Sequence, residues 1–310
     1  MLKRLKKSVK KNKILSNLAY NLNTKFTALL TKISPVLASK YIYRVIAEKN
    51  LNLDNPQDFH QKLQWLKLYW QHPLVVKCAD KYEVREYIKV CGCEEILKEL
   101  YGVYDRVDEI DWEKLPEKFV IKTTNGCGTN IFCENKSSLN KQEVIRQLKK
   151  WLKTDFGLFY AETHYSKMKP RIICEKYLQT DSGLPNDYKF YCFHGVPKVI
   201  LIIADRDTDL KLFFLDSNWN KLDIGDPSFK AKFNVGEVPP QPECLKEMMK
   251  YAEILSAPFP FVRVDMYEYE GKPVFGELTF TPGGAVARYI NETGLKLMGD
   301  MLKLPEKYGV

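Results

Sequence analysis

"FVRVDMYEYEGKPVFGELTF" (Phe261 to Phe280) alternates apolar and polar residues around Glu270-Gly271-Lys272, the pattern of a long β-hairpin. A turn at those three residues sets Asp265 opposite Glu277 and Arg263 opposite Thr279. Side chains alternate along a strand, so these four share one face. Val262, Val264, Met266 and Leu278 take the other, which belongs to a core. Like charges directly opposite one another are destabilising, so the two acids call for a cation. Pairing with nearby bases is one answer. Mg²⁺ is the other, since it takes carboxylates together with phosphate oxygens and water. Thr279 adds a neutral oxygen on the same face, and Arg263 stands one pleat away, where a developing oxyanion could be met. "TPGG" follows at Thr281, and Gly283 and Gly284 let the backbone approach a substrate closely.

Upstream, "FVIKTTNGCGTNIF" (Phe119 to Phe132) puts Lys122 at the end of an apolar strand and a small-residue loop after it. The P-loop order, with glycines ahead of Gly-Lys-Ser/Thr, is absent. Lys122 can supply charge to a polyphosphate while the Asn125–Asn130 amides cover it. Asp265 and Glu277 would hold metal ions on the same phosphates.

The remaining pattern is mixed. Asp58 to about Leu100 reads as helical, including "ADKYEVREYI" with Lys81, and Asp111–Pro116 reads as a linker. Strands are expected at "IFCEN", "PRIICEKYL", "DYKFYCFHG", "PKVILIIADRD" and "LKLFFLDS", with a hairpin about His194-Gly195. Helices are expected at "KQEVIRQLKKWLKTDF", "PECLKEMMKYAEILSAP" and "NETGLKLMGDML". Regular βαβ alternation is missing, so the expected class is α+β with largely antiparallel sheets. Trp65, Tyr69 and Trp70 read as core, and His164 and His194 have no metal partners at suitable spacing.

Charge is unevenly placed. Residues 1–47 hold eleven Lys or Arg and no acid, leaving 37 bases against 39 acids in the remainder. The net +9 therefore belongs to an N-terminal arm, residues 1–34, whose basic amphipathic pattern suits an anionic membrane surface. No further basic stripe supports a nucleic-acid partner. The longest apolar run, Val199–Ala204, is far too short to span a bilayer, and no signal peptide is apparent. Eight scattered cysteines make no CxxC pair. A cytoplasmic protein with reduced thiols is expected, peripheral on the inner face of the membrane through the arm.

The series "ADKYEVREYI", "FVIKTTNGCGTNIF", "IICEKYL", "DYKFYCFHG", "FVRVDMY" and "GELTFTPGG" resembles the ATP-grasp superfamily, and within it the TupA-like (teichuronopeptide biosynthesis) family, over residues 60–305. The resemblance implies two α+β subdomains clasping ATP, at 111–178 and 179–310, after a helical region at 35–110. It implies that Lys81 and Lys122 bind phosphates and that Asn125, Gly126, Gly128 and Thr129 belong to a lid. Glu175, Tyr177 and Leu178 would meet adenine, and Asp187 and Lys189 the ribose or phosphates. Asp265 and Glu277 would be Mg²⁺ ligands, and Arg263, with Lys122, the catalytic cations. Thr279 stands where many relatives have a metal-binding Asn, and the usual N-terminal α/β substrate domain is missing.

The implied activity is an ADP-forming carboxylate–amine ligase of surface polysaccharide synthesis. It would join an amino acid or other amine to a uronic acid or similar carboxylate, on a polymer or a lipid-linked glycan. Two alternatives stand beside it. One is a glycosyltransferase using the Asp-x-Asp pairs of "ADRDTD" (Ala204 to Asp209), and the other a non-catalytic scaffold docked on a membrane.

Overall fold

The computed structural model describes residues 13–180, 183–205, 209–229 and 232–309. The described residues begin with three helices: α1 (Lys13–Ile33), α2 (Pro35–Ile46) and α3 (Phe59–Tyr69). Ser34 caps α2, with Pro35 in its first turn, and Asp58 caps α3 by accepting from the Gln61 amide at 2.8 Å.

Two short helices follow, α4 (Pro73–Ala79) and α5 (Val84–Val90). The expected continuous helix over "ADKYEVREYI" is broken there. Asp80 Oδ1 accepts from the amides of Tyr82 and Glu83 at 2.8 and 2.9 Å, and this local competition turns the chain. Lys81 consequently sits on a turn and not on a helix face.

A four-stranded sheet comes next, built from β1 (Leu100–Tyr104), β2 (Phe119–Thr123), β3 (Asn130–Cys133) and β4 (Ile172–Lys176) in the order β1-β4-β2-β3, with every pair antiparallel. Between β3 and β4 run α6 (Lys141–Leu152) and the short α7 (Thr163–Ser166). Val144 and Leu148 of α6 pack with Phe119, Ile121, Ile172 and Cys174 on one face of this sheet.

The second sheet has β5 (Asp187–Phe193), β6 (Val196–Ala204), β7 (Lys211–Asp216), β8 (Lys232–Phe233), β9 (Phe261–Tyr269) and β10 (Lys272–Thr279). Their order is β10-β9-β5-β6-β7-β8, antiparallel except for the short β7–β8 pair. The helix α8 (Leu245–Ser256) lies between β8 and β9 in sequence, and α9 (Glu292–Met301) near the end. One face carries Phe190, Cys192, Val262, Val264 and Met266 against Met248, Ala252 and Leu255 of α8. The opposite face carries Tyr191, Phe193, Leu201, Phe214 and Phe261 against α3 and α9.

The β9–β10 hairpin has the expected partners at its functional end but reaches them differently. Tyr269 pairs with Lys272, so the turn is only Glu270-Gly271, with φ of 54° and 70°. That register would leave Asp265 out of line with Glu277. A bulge at Gly276 adds the missing residue, and Asp265↔Glu277 and Arg263↔Thr279 pair as expected. A Cβ on Gly276 would lie 2.8 Å from the Asp265 carbonyl oxygen, which is why glycine occupies the bulge.

All eight cysteines are free. Among the described residues no helix is long and apolar enough to cross a membrane.

Candidate active site

Two rows of polar side chains, one from each sheet, border the cleft between them. In the four-stranded sheet Lys122 pairs with Ile173 and Val120 with Glu175, which brings Lys122 and Glu175 diagonally together on one face. Their ion pair measures 2.5 Å. Lys98 Nζ lies 3.4 Å and Arg85 Nη1 3.9 Å from the same carboxylate. Burial raises the Glu175 pKa, but Lys122, Lys98 and Arg85 outweigh it and hold the group down at about 2. Lys98 shows the cost of crowding: burial pushes its ammonium down to about 8, against the pull of Glu175. Neither Lys98 nor Arg85 is among the expected site residues. Each stands in a helix-like stretch of sequence as an ordinary surface base, and only folding brings it to Glu175.

Beside this cluster lies a cleft walled by Val120, Phe132, Leu178, Leu184 and Tyr267. A flat apolar slot ending in a charged cluster suits a base with phosphates attached. Tyr177 lines the slot as well, its ring 5.9 Å from that of Phe132 and its hydroxyl donating to Glu134 Oε1 at 3.1 Å.

The β2–β3 loop is the stretch expected to act as a lid. Asn125 Nδ2 donates to the Thr154 carbonyl at 3.2 Å, and Thr129 Oγ1 to that of Thr123 at 3.3 Å. Gly126 rests so closely on the Phe156 ring that a Cβ would come within 2.6 Å of it. Lys81 Nζ donates to the Gly126 carbonyl, and the Lys81 amide to that of Thr124. Burial lowers the Lys81 pKa, with Glu277 across the cleft opposing. Lys81 thus holds the β2–β3 loop by its carbonyls while its charge feels Glu277 of the other sheet.

In that sheet the pairings Lys189↔Asp265 and Tyr191↔Arg263 align β5 with β9. Arg263 grips Asp265 with two bonds, Nε–Oδ1 and Nη2–Oδ2, both 2.6 Å. Its Nη2 also donates to Thr279 Oγ1 at 3.1 Å and lies 3.5 Å from Glu277. Thr279 in turn donates to Glu277 Oε1 at 3.0 Å. Lys189 bridges Asp265 and Asp187, the latter at 2.8 Å. Asp187 thus stands with the carboxylates of this sheet. Glu277 remains the open member, its side chain 39% exposed. Burial raises its pKa, yet Lys81, Lys189 and Arg263 bring it down to about 2.

The donor types suit Mg²⁺, two carboxylates and a hydroxyl on one face; Arg263 and Lys189 hold both Asp265 oxygens, and Glu277 is the carboxylate open to the cleft. Among the described residues no group of three or more His, Cys, Asp or Glu is placed to hold a metal ion. Bound there, Mg²⁺ would neutralise charge on phosphate oxygens.

Below this row, "TPGG" adopts three consecutive left-handed residues, Gly283, Gly284 and Ala285, at φ 60°, 68° and 61°. Side chains from elsewhere hold it: Thr281 donates to Glu162, and Gln64 Nε2 to the Ala285 carbonyl at 3.2 Å. Lys67 Nζ donates to Tyr160 O at 2.8 Å, and burial lowers its pKa to about 8 with Glu162 opposing. This buried set is also absent from the expected site. Its members are far apart in sequence, and helix α3 supplies Gln64 and Lys67 one turn apart.

Asp205 follows β6 and pairs with Lys211 of β7 at 2.7 Å. Residues 206–208 of the Asp-x-Asp stretch lie outside the described residues, as do residues 1–12 of the basic arm.

A family profile described as TupA-like ATPgrasp matches residues 61–303. No curated protein matches the sequence. Among solved structures, the D-alanine–D-alanine ligase from Helicobacter pylori is 15% identical, with a TM-score of 0.44 over 79% of this chain and 69% of that one. The L-amino acid ligase from Bacillus licheniformis is 12% identical, with a TM-score of 0.44 over 81% and 56%. The D-alanine–D-alanine ligase from Bacillus anthracis complexed with ATP is 16% identical, with a TM-score of 0.38 over 78% and 62%. The chain spans 56 to 69% of the length of these three proteins. The profile match covers well over half of the sequence and includes both cleft-facing rows of charge, and on that ground the chain belongs to the TupA-like ATP-grasp family.

Proposed function

We propose that the protein is an ADP-forming carboxylate–amine ligase. The observation that carries this reading is the pairing of opposites across one cleft. On one side Lys122 of the four-stranded sheet, with Lys98 and Arg85 beside it, gathers on Glu175; on the other stand the carboxylates Asp265 and Glu277, with Arg263 between them. A substrate carboxylate oxygen attacks the γ-phosphorus of ATP, and the bridging P–O bond breaks to release ADP. The amine nitrogen then attacks the acylphosphate carbon, the C–O bond to phosphate breaks, and the nitrogen gives up a proton. Lys122 and Lys81 hold and neutralise the phosphates, which is where most catalysis of phosphoryl transfer lies. Arg263 is placed for the oxyanion of the second step, with Nη1 outside its bonds to Asp265 and Thr279. Asp265, Glu277 and Thr279 are the residues for Mg²⁺.

The family suggests the substrates: a uronic acid or similar carboxylate of a surface polysaccharide or its lipid-linked precursor, and an amino acid or other amine. The setting is the cytoplasm, at the anionic inner face of the membrane reached by residues 1–34.

The test is release of ADP and phosphate from ATP·Mg²⁺ over a matrix of uronic acids and amines. Turnover that needs both partners, with an amide product by mass, supports the ligase. A thermal shift with UDP-sugar and Mn²⁺ but none with ATP would overturn it in favour of glycosyl transfer, since ligand at about 100 Kd adds roughly 2.7 kcal/mol of stability.

A further inference from the structure

Among the described side chains of α1, Leu22 to Ile33, the buried ones are Thr27 and Thr31, at 2% and 4% exposure. The Thr27 hydroxyl donates to the Asn23 carbonyl at 2.8 Å, and the Thr31 hydroxyl to those of Thr27 and Leu158 at 2.9 and 3.0 Å. Four large apolar side chains face the other way: Leu22, Phe26, Leu29 and Ile33 are 48 to 69% exposed, while Leu30 packs against the core with Ile42 and Tyr43. At roughly 100° per residue these four fall in one stripe about 60° wide, opposite the threonines. Leu37, at the start of α2, is likewise 53% exposed. A helix lying on a protein core shows the reverse arrangement, and a contiguous exposed apolar stripe marks a surface made for a partner.

Charge selects the partner. Lys25 and Lys32 are exposed along one flank of the stripe. The first 47 residues carry eleven bases and no acid. A second copy of the chain would set two such arms against each other. An anionic bilayer surface satisfies both features, taking the apolar stripe at the acyl boundary and the lysines among its headgroups.

We propose that α1 is a lipid-docking helix that lies in the plane of an anionic membrane, with Leu22, Phe26, Leu29 and Ile33 inserted. The Thr31–Leu158 bond joins it to the turn carrying Phe156, on which Gly126 of the lid rests. Docking therefore sets the lid one turn of chain away from the membrane-bound helix. The docking stands whether or not the cleft is a ligase. Only the corollary, that the carboxylate acceptor is carried on a lipid, rests on that reading.

The experiment is co-sedimentation of the full chain with vesicles of phosphatidylcholine alone and of an equal mixture with phosphatidylglycerol. The wild type binds the mixed vesicles, releases with salt, and stays in solution with phosphatidylcholine alone. The Leu29→Ser/Ile33→Ser variant binds the mixed vesicles roughly tenfold or more weakly. Both side chains are exposed, so the thermal midpoint and its shift with ATP stay as in the wild type. A wild type that never sediments overturns the proposal, and so does a variant that binds undiminished. A dimer in light scattering that the same variant splits would make a second copy the occupant and overturn it equally.

Discussion

Lys122 and Glu175 form an ion pair in the wall of the cleft, and two further cations, Lys98 and Arg85, close on the same carboxylate. One negative charge thus organises three positive ones into a compact cluster. The surplus is what a polyphosphate would meet, while Glu175 keeps the lysines from repelling each other out of position.

The acid limb of stability reports this arrangement. Folding lowers the Glu175 pKa from 4.5 to about 2, so the unfolded chain takes up the proton first as pH falls. Its stabilisation is complete above about pH 4.5 and drains away toward pH 2. Glu277 behaves in the same way. Urea midpoints measured between pH 5 and 3 should fall steeply in the wild type and less steeply in Glu175→Gln, with a residual slope from Glu277. Equal slopes in the two proteins would mean that the Glu175 cluster is not formed in solution.

The buried Lys67–Glu162 set should behave as a unit. Lys67→Met removes a positive charge whose field acts on the buried Glu162 carboxylate and leaves the Tyr160 carbonyl without that donor, a change that costs about 1–3 kcal/mol. Glu162→Gln keeps the acceptor for Thr281 and removes the charge. The double variant should be less destabilised than the sum of the two single ones, by roughly 1 kcal/mol or more in urea unfolding. Additive losses would show that the two groups do not interact.

Gly284 and Gly128 share a left-handed backbone, φ 68° and 67°, but differ in surroundings. A Cβ at Gly284 would lie 2.7 Å from the Tyr160 ring, whereas one at Gly128 meets nothing within 4 Å. Gly128→Ala should therefore cost only the backbone term, about 1 kcal/mol, while Gly284→Ala adds a clash and displaces "TPGG". The expected signature is a small loss of stability for the lid variant and a larger one, with an increase in KM for the acceptor, for Gly284→Ala. Equal effects on both measures would show that the Tyr160 contact does not constrain the loop.

The sequence disclosed the parts of this site that obey short-range rules. Alternation along Phe261–Phe280 placed Arg263, Asp265, Glu277 and Thr279 on one face, and the structure keeps them there. The bulge at Gly276 was hidden because a two-residue turn with one inserted residue and a three-residue turn give the same final pairing. The helix break at Asp80 was hidden because "ADKYEVREYI" has good helical spacing, and only the Asp80 side chain competes with it. Lys98, Arg85, Lys67 and Glu162 were not legible at all. Their significance lies in which charge each one meets, and that depends on long-range packing which no local pattern encodes.

Arg263 gives the sharpest test of the chemistry. Its guanidinium spends Nε and Nη2 on Asp265 and Thr279, and the ring of Tyr191 lies 6.0 Å from it. Arg263→Ala should leave the fold intact, because Asp265 retains Lys189. Thermal stability drops by a few degrees, and the shift with ATP survives. Ligase turnover should fall by about 10² or more, the scale on which losing a single oxyanion donor acts. Arg263→Lys should recover little, since an ammonium cannot reproduce the forked grip on Asp265 while reaching a substrate oxygen. The partial reaction separates the roles further. If Arg263 serves the oxyanion of the amine step, hydroxylamine trapping should still detect acylphosphate in Arg263→Ala while amide formation is lost. Loss of both together would move Arg263 to the phosphoryl-transfer step and assign the second oxyanion to another donor.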